Sequence, residues 1–218
     1  MNIDILKMSV VVMSRGIGYT LAIFFFTIVF SLPLGLLLTF FETSKNPVLR
    51  GATRFYVFIM RGTPLMLQLF FIYFGLPFLP VIGKYLAIDR FTAGCIGFVL
   101  NYAAYFCEIF RGGLLSIDPG QYEAARVLGF SKAQTTAKII IPQMIKVVLP
   151  PTSNEAITLV KDTALVSTIG ISDLLHYSKS LVNSTQSVLP YAVAAVFYLI
   201  MTTGLTLLFN KLEKKFKF

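Results

Sequence analysis

The sequence predicts an all-α integral membrane protein of five transmembrane helices with a helical loop on one face. Of its 218 residues, 56% are hydrophobic and only 13% are charged, against about 25% charged in soluble domains. Mean hydropathy is +0.77, and so few charges cannot clothe a water-soluble surface. That excludes an ordinary soluble enzyme and a disordered chain. The chain also carries several uncharged runs near the ~20 residues that a spanning helix needs, and its 19 Lys and Arg are unevenly placed.

The first span is residues 17–41. It is too long for a signal-peptide core, and no A-x-A cleavage pattern follows it. Residues 45–61 read as a charged loop. In Arg61-Gly62-Thr63-Pro64, proline suits the first turn of the second span (65–83), Gly62 loosens its start and Arg61 anchors at the interface. The third span is residues 91–107 and the fifth is residues 187–210. Between them, residues 143–175 contain Pro150, Pro151, Glu155, Lys161 and Asp162. This region reads as a polar fourth span, broken at the two prolines that lack N–H donors.

Charge placement argues that the fourth region crosses. If it does, Lys45, Arg50, Arg54, Arg61, Arg111, Arg126, Lys132, Lys138, Lys146, Lys211, Lys214, Lys215 and Lys217 share one side. Lys7, Arg15, Lys84, Arg90 and Lys179 take the other, and Lys161 stays at membrane depth. The positive-inside rule makes the first side cytoplasmic, with the amino terminus outside. The net charge of +9 is then a cytoplasmic coat, and nucleic acid is not an expected partner. The 21 Phe read as lipid-facing or packing residues. Cys95 and Cys107 would lie ~18 Å apart on a helix, too far to bridge. His176, the single histidine, falls in an external loop. Neither CxxC nor a His cluster offers a metal site.

The loop of about residues 118–142 reads as two short helices. Asp118, Pro119 and Gln121 form a capping box with proline at the first helical position. Gly129 ends that helix as a left-handed cap. Ser131 and Gln134 open a second helix that runs to about Ile141, before Pro142. The first presents Glu123, Ala124, Ala125 and Arg126, a slim surface that a partner can approach, with a Glu/Arg pair to orient it.

The spacing Glu123-Ala124-Ala125, Gly129, Ile139, Ile141 and Pro142 resembles the EAA loop of ABC importer permeases, with Ile141 in place of a leucine. Arg61-Gly62-Thr63-Pro64 with Gln68, Asp118-Pro119-Gly120-Gln121, and Leu159-Val160-Lys161-Asp162-Thr163 are similar to segments of the polar amino acid (histidine and glutamine) uptake subfamily. The resemblance covers nearly the whole chain. It implies a single permease domain over residues 1–218, with the type I ABC importer fold, in a bacterial cell membrane. It also implies a coupling surface of Glu123, Ala124, Ala125, Arg126 and Gly129 that docks on a cytoplasmic ATPase. The implied partners are that ATPase, a second permease copy or homologue, an external solute-binding protein, the amino acid substrate and the lipid bilayer. No cofactor is expected on this chain, and ATP with Mg belongs to the ATPase. The sequence contains no G-x-x-x-x-G-K-[ST] with which to bind ATP itself, so an enzymatic activity is not expected.

Ionisable residues at membrane depth cost about 2.5–3.5 kcal/mol each on insertion scales and point to function. Glu155, Thr158 and Asp162 share one helical face. Asn101, Tyr105 and Glu108 share another. A buried carboxylate such as Glu155 can pair with a substrate ammonium, while Asn101 and Tyr105 can line the ligand or act as interhelical glue. Lys161 and Asp162 complete the candidate substrate-binding set, with an ion pair between them or to a neighbour expected to hold a gate. Glu108 is expected to pair with Arg111. A competing class is an ion-gradient-driven secondary carrier for a small polar solute, but no internal repeat supports it and it leaves the capped loop without a purpose.

Overall fold

A computed structural model describes residues 3–216, and Lys217 lies outside them. Helix α1, Ile3–Glu42, runs for 40 residues, about 60 Å at 1.5 Å per residue. It therefore extends well beyond the predicted first span. Its buried face includes Ser9, Gly16, Thr20, Thr27, Ser31, Gly35 and Thr39, recurring every four or seven residues. Such small residues let backbones meet closely where lipid removes the hydrophobic drive for helix association. A Cβ at Gly35 would sit 2.7 Å from the Cβ of Phe106 and 3.0 Å from the carbonyl oxygen of Ala103. The Thr39 hydroxyl donates to the carbonyls of Gly35 (2.9 Å) and Cys107 (3.1 Å), tying two helices together.

Residues 47–62 are not a loop. They form α2, Pro47–Gly62, capped by Asn46, whose side chain accepts from Val48 N at 2.9 Å. Asn-Pro is a good helix start, but Arg50, Arg54 and Arg61 hid the helix from a search for apolar runs. Its buried side rests on the next long helix. Tyr56, Val57 and Met60 pack with Ala104 and Cys107, and the Tyr56 hydroxyl donates to the Leu100 carbonyl at 2.5 Å. Helix α3, Leu65–Phe70, continues through a π-turn and a 3-10 turn to Phe78. It meets α2 at a bend of 106°.

Helix α4, Arg90–Leu115, is the central element. Asp89 caps it, accepting from Thr92 N at 3.0 Å. Phe98, Tyr102 and Phe106 are fully buried on it and join Ile23 and Phe24 of α1, Leu69 of α3 and Leu159 in one core. Cys95 and Cys107 are both buried and unbridged on this helix, as their spacing requires.

The loop helices are α5, Pro119–Val127, and α6, Lys132–Thr135. Pro142 does not end the second. A π-turn over Thr136–Ile140 runs directly into α7, Ile141–Asp162, with Pro142 in its first turn. The proline follows a stretch where the ladder has already shifted to i−5 pairing, as in Ile141 N to Thr136 O, so the helix passes over its missing N–H without ending. Nor do Pro150 and Pro151 break the span, since both lie inside continuous α7. The change comes at Thr163, where the helix tightens into a 3-10 segment, Thr163–Ile169, ended by Gly170 at φ +80°.

Helix α8, Leu174–Thr185, then packs on α1 and on α9, Leu189–Phe216. His176 is on α8 rather than in a loop, half-buried and edge-on to the ring of Tyr177 at 6.0 Å. Among the described residues, α1, α4 and α9 are long and apolar enough to cross a membrane, and the bent α2–α3 pair makes a fourth candidate. The polar helix α7 fails that measure.

Candidate functional site

The bend between α2 and α3 has a specific cause. The Asn101 side-chain amide donates to the Met60 carbonyl and to Gln68 Oε1, both at 3.0 Å. The Gln68 amide in turn donates to the Met60 carbonyl at 3.0 Å and to the Thr63 hydroxyl at 2.8 Å. These bonds supply partners where Pro64 has no N–H to offer. They hold Arg61, Gly62 and Thr63 across from α4 and α7.

A cavity of about 610 Å³ results. Its walls include Arg61 from α2, Asn101, Tyr102 and Tyr105 from α4, and Glu155, Thr158 and Asp162 from α7. Five of the six predicted substrate-binding residues therefore converge. Lys161 does not. It is exposed and lines no part of the cavity, as its offset of about a third of a turn from Glu155 allows. The expected Lys161–Asp162 ion pair is likewise replaced. Asp162 accepts a hydrogen bond from the Tyr102 hydroxyl at 2.8 Å.

The cavity also has polar walls outside the predicted set, among them Arg61, Thr63 and Tyr102. Tyr102 carries no motif, and its role depends on α7 lying beside it. Arg61 was read only as an interfacial anchor, although its motif singled it out. Its guanidinium lies 3.6 Å from Glu108 and sits over the Tyr105 ring, 5.4 Å from the centroid. Glu108 also pairs with Arg111 at 2.8 Å, as expected. The cavity thus sets two carboxylates, Glu155 and Asp162, against one guanidinium. Together they complement a ligand bearing both an ammonium and a polar or anionic end.

The second candidate surface is α5. Its start differs from expectation. The Asp118 carboxylate accepts from Gly120 N at 2.6 Å rather than forming a capping box, because Gln121 instead accepts from the Gln143 amide of α7 at 3.1 Å. That bond ties the loop to the span that carries Glu155. Its end is as predicted. Gly129 has φ +76°, Gly129 N donates to Arg126 O and Phe130 N to Ala125 O, both at 3.0 Å. This is the paired bonding of a Schellman cap. The Ser131–Gln134 capping box is present on α6. Ala125 faces inward at 1% exposure. The outward face is Glu123, Ala124, Arg126 and Gly129, with the large apolar side chains Val127 and Leu128, 88% and 73% exposed.

A bundle of apolar helices around a charged cavity, with a rigidly capped helix projecting from one end, defines a membrane transport component. The chain belongs to the family described as "Binding-protein-dependent transport system inner membrane component", which matches residues 31–218. It is 36% identical over 203 residues to a probable amino-acid ABC transporter permease protein of Bacillus subtilis, covering 93% of this chain and 88% of that one. It is 36% identical over 202 residues to a putative glutamine transport system permease protein of Rickettsia conorii, covering 92% and 91%. The fold superposes on a crystal structure of an amino acid ABC transporter with histidines at a TM-score of 0.87 and 34% identity, covering 99% of this chain and 100% of the other.

Proposed function

We propose that the chain is the membrane-spanning subunit of an ATP-driven importer of polar amino acids and forms half of its translocation pathway. The observation that carries this reading is the cavity in which Glu155 and Asp162 face Arg61 across the bend. A free amino acid carries an ammonium and a carboxylate, and the cavity offers a charged partner for each. Tyr105 and Thr158 supply neutral hydrogen-bonding groups, while Asn101, with its N–H groups bonded to Met60 and Gln68, offers its amide oxygen and braces the wall. A self-powered carrier is not favoured, because it gives the exposed α5 nothing to dock.

The whole chain acts as one transmembrane unit. Helix α7 makes the fourth of five spans, the amino terminus is outside, and α5 and the carboxyl end face the cytoplasm. Glu123, Ala124, Ala125, Arg126 and Gly129 form or support the surface that engages a cytoplasmic ATPase. That partner binds and hydrolyses ATP with Mg, and this chain holds no cofactor of its own. An external solute-binding protein delivers substrate, and a second permease copy or homologue completes the pathway. Closure of the ATPases moves α5, the Gln121–Gln143 hydrogen bond passes the motion to α7, and the two halves rock about the cavity.

The test is uptake into vesicles by the reconstituted transporter across the standard amino acids, with thermal-shift binding in parallel. The expected result is ATP-dependent accumulation of one or a few polar amino acids. Accumulation that follows an imposed ion gradient without ATP would overturn the proposal.

A further inference from the structure

Arg61 and Gly62 line two cavities. Besides the Glu155 cavity there is a second, of about 550 Å³, on the α5 side of Arg61. Its walls come from the end of α1 (Glu42), from α2 (Arg54, Phe58 and Arg61) and from the last turns of α4 (Glu108 and Arg111). We propose that this cavity is a second binding site for an amino acid zwitterion on its way out, with Glu42 taking the ammonium and Arg54 and Arg61 the carboxylate. The inference rests on the transport function proposed above and adds a site to it.

Charge is the first argument. Three guanidiniums face two carboxylates, so one positive charge is left for an anionic group. Only one of the internal pairs is tightly closed, Arg111 Nη2 to Glu108 at 2.8 Å. Arg54 and Arg111 stand 3.6 and 3.4 Å from Glu42, and Arg61 stands 3.6 Å from Glu108. A charge-assisted N–H···O contact is ordinarily about 2.7–2.9 Å. These looser pairs can open to admit a ligand without losing a short hydrogen bond.

Glu42 supplies the second argument. Its side chain is only 5% exposed. The hydrogen bond it accepts is from the Cys107 thiol at 3.5 Å, a weak donor. Its two guanidinium neighbours stand at 3.4 and 3.6 Å on one oxygen, so the carboxylate keeps lone pairs that a ligand ammonium, with three N–H groups, can fill. Space and shape agree. The volume falls in the ~300–1,000 Å³ range of small-molecule sites, and Val57 and Phe58 add an apolar wall for a side chain.

Arg61 gives the two sites a common element. It reaches toward Glu108 on one side and lies over the Tyr105 ring, part of the first cavity, on the other. With five N–H donors, the Arg61 guanidinium can meet a ligand carboxylate on each side at once, so the two sites can be filled together.

The stoichiometry of binding tests this. The transporter, purified with its partner subunits and without the external binding protein, is dialysed to equilibrium against radiolabelled standard L-amino acids and L-cystine. The expected result is two equivalents of one of these per copy of this chain. Arg54→Ala and Glu42→Gln each reduce that to one, while Glu155→Gln removes the other equivalent and leaves the second site filled. The Arg54 side chain is 63% exposed, so its variant folds even if Glu42→Gln does not. One equivalent in the wild type, kept in Arg54→Ala and lost in Glu155→Gln, overturns the second site and leaves the proposed function standing. No binding of any of these amino acids overturns both.

Discussion

Glu155 and Asp162 of α7 meet Arg61 of α2 only because α2 and α3 are bent. Glu155 is the one of these whose role follows most directly from charge. A hydrogen bond to a charged group contributes about 1.5–3 kcal/mol, so Glu155→Gln is expected to raise the KM for uptake by roughly 10- to 100-fold. Lys161→Gln serves as its contrast, since Lys161 is exposed and outside the cavity. The KM of that variant should stay within about twofold, the scale of an exposed charge. Uptake kinetics on both variants decide the matter, and a large rise for Lys161→Gln would return that lysine to the pathway. The residues legible in advance were polar groups at helical spacing in apolar surroundings. Tyr102 was not legible, because its hydroxyl matters only through Asp162, sixty positions away in sequence.

Helix α5 is short, exposed and sharply ended. Its end depends on Gly129 at φ +76°, where a side chain is strained by about 1–2 kcal/mol. Gly129→Asp adds that strain and a negative charge beside the Schellman cap, while open space around the position leaves the rest of the fold undisturbed. The expected outcome is normal membrane insertion with loss of most transport-coupled ATP hydrolysis and uptake. Purified complex that hydrolyses ATP and transports at wild-type rates would remove α5 from coupling. At this scale the cap signals in the sequence were informative, since Gly129 and the Ser131–Gln134 box form as read. The proline signals misled. Pro142 reads as a stop and Pro150–Pro151 as a break or kink, yet the helix continues past Pro142 and α7 runs through the other two. Proline removes a donor locally, but neighbouring helices and the helix's own remaining bonds can hold the axis.

For the molecule as a whole, the prediction concerns which elements cross and in which direction. Single cysteines placed at Lys179 and Lys214 are expected to label from opposite faces of sealed vesicles, Lys179 from outside and Lys214 from the cytoplasmic side. Labelling of both from one face would exclude five spans. The apolar composition determined that the chain lives in a membrane, and the charge distribution proposed its orientation, because both depend on transfer from water and are nearly additive over residues. The spacing of caps and the EAA pattern likewise showed the projecting loop. The tertiary structure alone decided that residues 47–62 form a helix, that it bends by 106° into the next, and that Arg61 stands between two cavities. Those facts rest on hydrogen bonds and close backbone contacts between segments far apart in the chain, such as Asn101 to Met60 and Gly35 to Ala103. Local composition and periodicity carry no record of such pairings.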